Sequence, residues 1–294
     1  MLGGVAAAQY ALKNNVPAHN LLDNSDFSNP VNQRGKTSYS IAGNEYTIDR
    51  WKTQYGNGLT IENGYINIIG AWQIYQILKN PKDGVYTFAA EIRINSIGDN
   101  QPNIFITDVT EVLLDAPIGQ WKTYILQYDL SSIESDNISF SLGSRGGNNS
   151  NASISARWAA MYKGSYTADT LPAYQPKGYA AELAECQRYY YQSNNNKSGQ
   201  DGMIIRRAIN IEGSTNSYSL ESVELPTTMR ITPTITIYDS DGNANVAQEW
   251  RTNDKVSNTS IRYANNRSFC VASEVGGFVG GKSYYFQYTA SADL

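Results

Sequence analysis

YTFAAEIRI, residues 86–94, decides the fold. Tyr86, Phe88, Ala90, Ile92 and Ile94 fall on one side of an extended chain, and Thr87, Ala89, Glu91 and Arg93 on the other. A period of two with one apolar side predicts a strand with one face in a core. ISARWAAMY (154–162) repeats the pattern with Ile154, Ala156, Trp158, Ala160 and Tyr162. Working outward, strands are predicted at 49–55, 64–70, 71–78, 103–109, 123–130 and 137–143. The turn clusters YGNG, NPKDG, GDNQPN, DAPIG and SRGGNNSN separate them. Strands at this spacing predict a sandwich.

Residues 163–178, with two prolines and two glycines, lack periodicity and read as a seam between domains. AAELAECQRYYYQ (180–192) then breaks the β pattern. Tyr179, Leu183, Cys186 and Tyr190 are spaced 4, 3 and 4, which predicts one stripe of a helix whose tyrosines lead into a strand. Glu182 and Glu185 early and Arg188 late suit the helix dipole. Strand signals resume at 203–211, 217–225, 231–238, 245–250, 260–264, 268–274 and 283–291. The expected fold class is all-β: an N-terminal β-sandwich, a short junction helix and a smaller C-terminal β-sandwich.

Composition agrees. The chain has 294 residues, with 22 Tyr against 7 Phe and only 17% charged residues. Tyr suits strands and joins an apolar ring to a polar tip. The net charge of −4 argues against nucleic acid as the main partner. No apolar run reaches the roughly 20 residues needed to span a bilayer, so membrane insertion is not expected. The N-terminal stretch reads as no secretory leader. Cys186 and Cys270, far apart, read as two free buried thiols.

Catalytic chemistry finds few partners. His19 is the only histidine, so Ser-His-Asp and Cys-His pairs lack a base and the usual zinc sites lack ligands. GGFVGG (276–281) has no phosphate-loop lysine and reads as a loop between strands. Asp239, Asp241 and Asn243 alternate as in a calcium loop, but Ala244 and Trp250 stand where Gly and Glu are needed. Asp241-Gly242 is better read as a turn. Two carboxylates suffice for glycoside hydrolysis, but the many short repeats of a long parallel β-helix are not visible. No enzyme is expected.

Three stretches carry a family resemblance. LGGVAAAQYALKNNVP (2–17) resembles a connector in bacteriophage tail fibres. NLLDNSDFSNPVNQRG with YTIDRWK (20–52) is similar to the opening of jelly-roll modules in phage tail proteins and of many carbohydrate-binding modules. LPAYQPKGYAAELAECQRYYYQ (171–192) resembles a tail-fibre junction. The resemblance implies the distal, receptor-binding part of a phage or prophage tail fibre: a homotrimer on the virion tail that attaches to host surface glycans. It divides the chain into a connector (1–19) to upstream tail proteins, a carbohydrate-binding-like jelly roll (20–170), a linker with junction helix (171–192) and a distal sandwich (193–294). A structural Ca²⁺ in the jelly roll follows by analogy, its ligands unassigned; no other cofactor is expected. Two rival readings stand beside it: a carbohydrate-binding-module pair of a secreted glycan-degrading enzyme, and a structural tail component without a ligand.

Sugars are held by aromatic rings with a few placed polar groups. Trp51, Trp158, Trp72 and Trp121 lie in or beside strand patterns and are expected in the core. Trp250, Arg251, Tyr263 and Asn265 lie in polar loops of the distal domain and are the expected ligand-binding residues. Tyr179, Leu183, Cys186 and Tyr190 are the expected oligomer seam.

Overall fold

The computed structural model describes residues 19–41, 43–54, 56–70, 73–79, 84–99, 101–106, 109–133, 137–143, 152–194, 202–210, 218–273 and 277–293. The connector at 2–17, Trp72 and the SRGGNNSN cluster lie outside the described residues. The chain is all-β and forms two compact units. One combines Val31 and the described residues before it with Lys36–Glu182; the other combines Asn32–Gly35 with Leu183 onward.

In the first unit, one six-stranded antiparallel sheet runs in the order β1 (Ser38–Ile41), β4 (Gly56–Glu62), β5 (Tyr65–Ile69), β12 (Ser153–Lys163), β7 (Val85–Ser96) and β10 (Trp121–Asp129). The other runs β2 (Glu45–Tyr46), β3 (Lys52–Gln54), β6 (Gln73–Lys79), β11 (Asn137–Gly143), β8 (Asn103–Ile106) and β9 (Thr110–Leu113). From β5 to β12 the chain crosses repeatedly between the sheets, the jelly-roll pattern. The core fills from both sides: Phe88, Ile92 and Ile94 of β7 and Ile66 and Ile68 of β5 oppose Ile74, Ile104 and Phe140. Phe88 and Phe140 meet across the sandwich with ring centroids 4.9 Å apart. Each such side chain contributes roughly 1.5–3 kcal/mol on burial. Trp51 is fully buried, as expected; its indole N–H donates to the Asn24 carbonyl at 2.9 Å and its ring meets Phe27 edge-on.

The alternation expected for 154–162 does not survive. The register of β12 against β7 slips between Ala156 and Trp158, leaving Arg157 as the extra residue of a β-bulge. Core positions become Ile154 and Ala156, then Ala159 and Met161. Trp158 is therefore outside the core cluster, half-buried and stacked on Tyr174 with centroids 4.8 Å apart and planes 7° apart. That corrects its assignment to the core. In β7 the Thr87 and Ala89 side is also buried at its first half. The returning chain covers it: Thr87 Oγ1 donates to Gly164 O and accepts from Tyr166 N.

The second unit has ten strands in one hydrogen-bonded antiparallel network. They are β13 (Tyr190–Gln192), β14 (Ile204–Asn210), β15 (Tyr218–Leu220), β16 (Val223–Glu224), β17 (Thr234–Tyr238), β18 (Ala247–Glu249), β19 (Lys255–Val256), β20 (Thr259–Arg262), β21 (Ser268–Ser273) and β22 (Ser283–Ser291). β22 is its axis: its first half pairs with β14 and β18, its second half with β13 and β17. All its inner positions are buried, and Phe286, Tyr288 and Ala290 join Leu220, Ile237 and Val271 in one core.

The helix α1 (Tyr179–Cys186) is shorter than its sequence pattern. Two i→i+3 bonds, Arg188 N to Glu185 O and Tyr189 N to Cys186 O, tighten its end, and Tyr190–Gln192 then pair with β22. Among the described residues, no helix is long and apolar enough to cross a membrane.

Candidate functional site

Strand registers place one transverse row on the outer face of the β1–β10 sheet. Ser38 stands opposite Thr60, Thr60 opposite Asn67, Asn67 opposite Ser155, Ser155 opposite Arg93, and Arg93 opposite Trp121. Directly opposed residues share a face, so the row crosses six strands, about 24 Å at ~4.8 Å per strand. Every member is polar or aromatic. The opposite face of the same strands is the core.

Two irregularities enrich this face. The bulge in β12 adds Arg157, and a second slip, between Ser153 and Ile154, leaves Asn95 as an extra residue in β7. Bulges re-aim side chains out of the regular pleat. Asn95 Nδ2 donates to Asn67 Oδ1 at 2.9 Å, Ser155 Oγ at 2.9 Å and Ser153 Oγ at 3.2 Å. Arg93 donates from Nε to Asn95 Oδ1 at 3.0 Å and from Nη2 to Ser155 Oγ at 3.1 Å. A half-buried network with fixed partners holds its members in one arrangement.

An aromatic-cationic group closes one end of the row. Tyr65 and Trp121 meet edge to face, with centroids 5.8 Å apart. The Arg93 guanidinium lies 5.0 Å from both ring centroids. Arg157 lies over the indole at 4.1 Å and reaches Glu91 Oε1 at 3.4 Å. That ion pair is partly exposed on both sides, so it contributes at most ~1 kcal/mol. The placement of Trp121 corrects its assignment to the core: it is half-buried on the outer face. The arrangement places donors, acceptors and ring edges together on one surface.

The four distal residues read as ligand-binding are solvent-facing. Trp250 is 55% exposed and Tyr263 75% exposed. Tyr263 also holds φ at 52°, an uncommon conformation for a bulky side chain. Glu249 shapes the Trp250–Arg251 turn: its Oε2 accepts from Arg251 N, Thr252 N and Thr252 Oγ1 at 2.6–2.9 Å. The Thr252 bonds, chiefly from its backbone, hold the Glu249 carboxyl below its ordinary value. Asn265 spends its side chain on its own turn, accepting from Arg267 N and Ser268 N and donating to Ser268 Oγ. Trp250 packs edge-on against Tyr285; no ring contact joins it to Tyr263 among the described residues. Beside this turn lies a polar cleft of about 430 Å³ lined by Glu249, Asp254, Lys255, Ser257, Lys282 and Tyr284.

Of the seam residues, Tyr179 is 47% exposed and Leu183 half-buried, whereas Cys186 and Tyr190 are buried within the chain itself. Tyr190 stands on β13, so it leaves the helical stripe. Cys186 and Cys270 are free thiols; Cys186 is buried and Cys270 only half-buried. His19 is exposed.

The Asp239 turn has its own cation. Asp239 Oδ1 accepts from Asp241 N and Asn243 N, and its Oδ2 from Asn243 Nδ2. Lys255 Nζ sits 2.7 Å from Asp239 Oδ2 and 2.6 Å from Asp241 Oδ2. A lysine ammonium thus satisfies the carboxylates that a calcium ion would need, and a Tyr238–Ala244 bridge closes the turn.

No family model matches the chain, and no curated protein matches its sequence. Solved structures share low likeness. The N-terminal CBM22-1–CBM22-2 tandem domain of Paenibacillus barcinonensis Xyn10C is 12% identical; the alignment covers 94% of this chain and 91% of that one, at a TM-score of 0.30. A putative sugar-binding protein from Bacteroides thetaiotaomicron is 15% identical, over 50% of this chain and all of that one, also at 0.30. A triple jelly-roll protein of an archaeal virus turret is 12% identical, over 78% and 58%, at 0.27. At such scores these likenesses decide neither fold nor function, and the architecture rests on the strand pairing.

Proposed function

We propose that the chain is a non-catalytic adhesion protein that holds glycans on the outer face of the β1–β10 sheet. The carrying observation is the transverse row that ends in the Tyr65–Trp121–Arg93–Arg157 group. It joins ring surface to a prearranged set of neutral hydrogen-bonding groups, the combination that hydroxyl-rich ligands require. The exposed Trp250–Arg251 turn and Tyr263 offer a second, smaller contact. The sequence resemblance at 20–52 and 171–192 supports a finer reading, the receptor-binding end of a phage or prophage tail fibre. In that reading the chain is a homotrimer on the virion tail and its ligand is a bacterial surface polysaccharide. Tyr179 and Leu183, the two seam residues not buried, then remain for contact between copies.

The test is a glycan array followed by titration calorimetry on the array's best ligand. Trp121→Ala is expected to weaken binding about tenfold or more, the equivalent of ~1.4 kcal/mol, while the protein keeps its melting temperature within a few degrees. Trp250→Ala is expected to weaken it less. Full affinity in a Trp121→Ala, Tyr65→Ala double variant would remove the face from the reading.

A further inference from the structure

The face offers charge as well as rings. Among the described residues, neither hydrogen-bond partner of the Arg93 guanidinium, Asn95 Oδ1 and Ser155 Oγ, is charged. Arg157 covers the Trp121 ring at 4.1 Å, so a ligand arriving at the indole meets a guanidinium plane first. Among the described residues its carboxylate partner is Glu91, 3.4 Å away and partly exposed, a contact readily exchanged. Glu62, opposite Tyr65 on β4, takes a hydrogen bond from Thr60 and stands on the far side of the tyrosine from both arginines. A neutral pyranose stacking on Trp121 would have to displace Arg157. A sugar with a carboxylate would instead bond it, because a guanidinium fork matches a carboxylate with two parallel N–H···O bonds.

We propose that the glycan held on this face is acidic, a uronate-bearing polysaccharide whose carboxylate is taken by Arg157 and Arg93. The inference rests on the glycan-binding reading above and narrows its ligand. A ring carboxylate is favoured over a phosphodiester linkage because it projects sideways from a ring lying at Trp121, toward the guanidinium planes. A phosphodiester lies between rings.

The experiment titrates the full chain with alginate, polygalacturonate and hyaluronate, and with each polymer after carboxyl reduction. At least one acidic polymer is expected to bind ten- to a hundredfold tighter than its reduced form, the range of one or two charge-assisted hydrogen bonds. Arg157→Gln, on an exposed bulge position, is expected to erase that ratio without lowering the melting temperature; Arg93→Gln is expected to erase it as well, with a lower melting temperature because its bonds to Asn95 and Ser155 are lost. Raised salt is expected to weaken the acidic polymer and leave the reduced one unchanged. Equal binding of acidic and reduced forms, or an unchanged ratio in both variants, overturns the acidic ligand while glycan binding stands. Failure of all three acidic polymers beside a neutral array hit has the same meaning. Absence of any glycan binding removes both proposals.

Discussion

Asp239 shows how one residue organises a loop without a metal. It has no exposed surface, yet it is charged. Burial works against ionisation, but the bonds from Asn243 and Lys255 outweigh it and the carboxyl sits below its ordinary value. A lowered acid contributes stability that is present above the unfolded pKa, near 3.9, and lost as pH falls through the folded one. The partner behaves in the opposite sense. Lys255 is pushed up to about 12, first by its bond to Asp239, so its share is full below about 10.4 and lost as pH climbs through the raised value. Asp239→Ala strands the N–H groups of Asp241 and Asn243, a loss of about 3 kcal/mol by the usual cost of charge-assisted bonds. Denaturant melts should show that loss at pH 7 and a smaller one near pH 2. An equal loss at both would mean the carboxyl charge plays no part.

The β-bulge at Arg157 is the element on which the face depends. Without it the period-two reading of ISARWAAMY would carry Trp158, Ala160 and Tyr162 into a core sized for Ala159 and Met161. Inserting one alanine between Trp158 and Ala159 imposes that shift on Ala160 and Tyr162, because a one-residue slip turns every later side chain to the other face. The expected result is loss of the first unit's cooperative unfolding in calorimetry, whereas Arg157→Gln keeps it. An unchanged transition in the insertion would show that the strand absorbs the extra residue in a second bulge.

The same bulge explains what the sequence could and could not reveal. Long alternating runs such as YTFAAEIRI and SYYFQYTAS announced their strands, and NISFSLG matched its strand at both ends. The β4 strand was hidden, because GNG at 56–58 reads as a turn. A Cβ at Gly58 would stand 2.9 Å from Tyr39 O, so glycine there serves the close approach of β1 and β4. The candidate face was harder still. Asn67, Ser155, Arg93 and Trp121 come from four strands, and only the pairing registers bring them into line. Arg93 was legible as the off-core side of its strand, but nothing in the local pattern announces a bulge, so Asn95 and Arg157 could not be placed there. The exposed loops that attracted attention instead carry aromatic and polar residues adjacent in sequence, which is the only kind of cluster a linear reading detects.

At the scale of the whole molecule, affinity and adhesion separate. One shallow polar face exchanges water for similar hydrogen bonds, so a single contact is weak. A tail-fibre reading resolves this through copies: tethered sites see one another's ligands at high effective concentration, raising avidity 10²–10⁴-fold with no new contact. Light scattering is then expected to give three times the chain's 32.5 kDa. Binding to a glycan-coated surface should exceed binding of the soluble oligosaccharide by about that 10²–10⁴ factor. Because Tyr179 and Leu183 are the seam residues left accessible, a Tyr179→Glu, Leu183→Glu variant should lower both mass and avidity while leaving the affinity for soluble oligosaccharide intact. A 32.5 kDa particle that binds surface and soluble ligand equally would point to the secreted carbohydrate-binding module pair, in which one copy of the face does all the work.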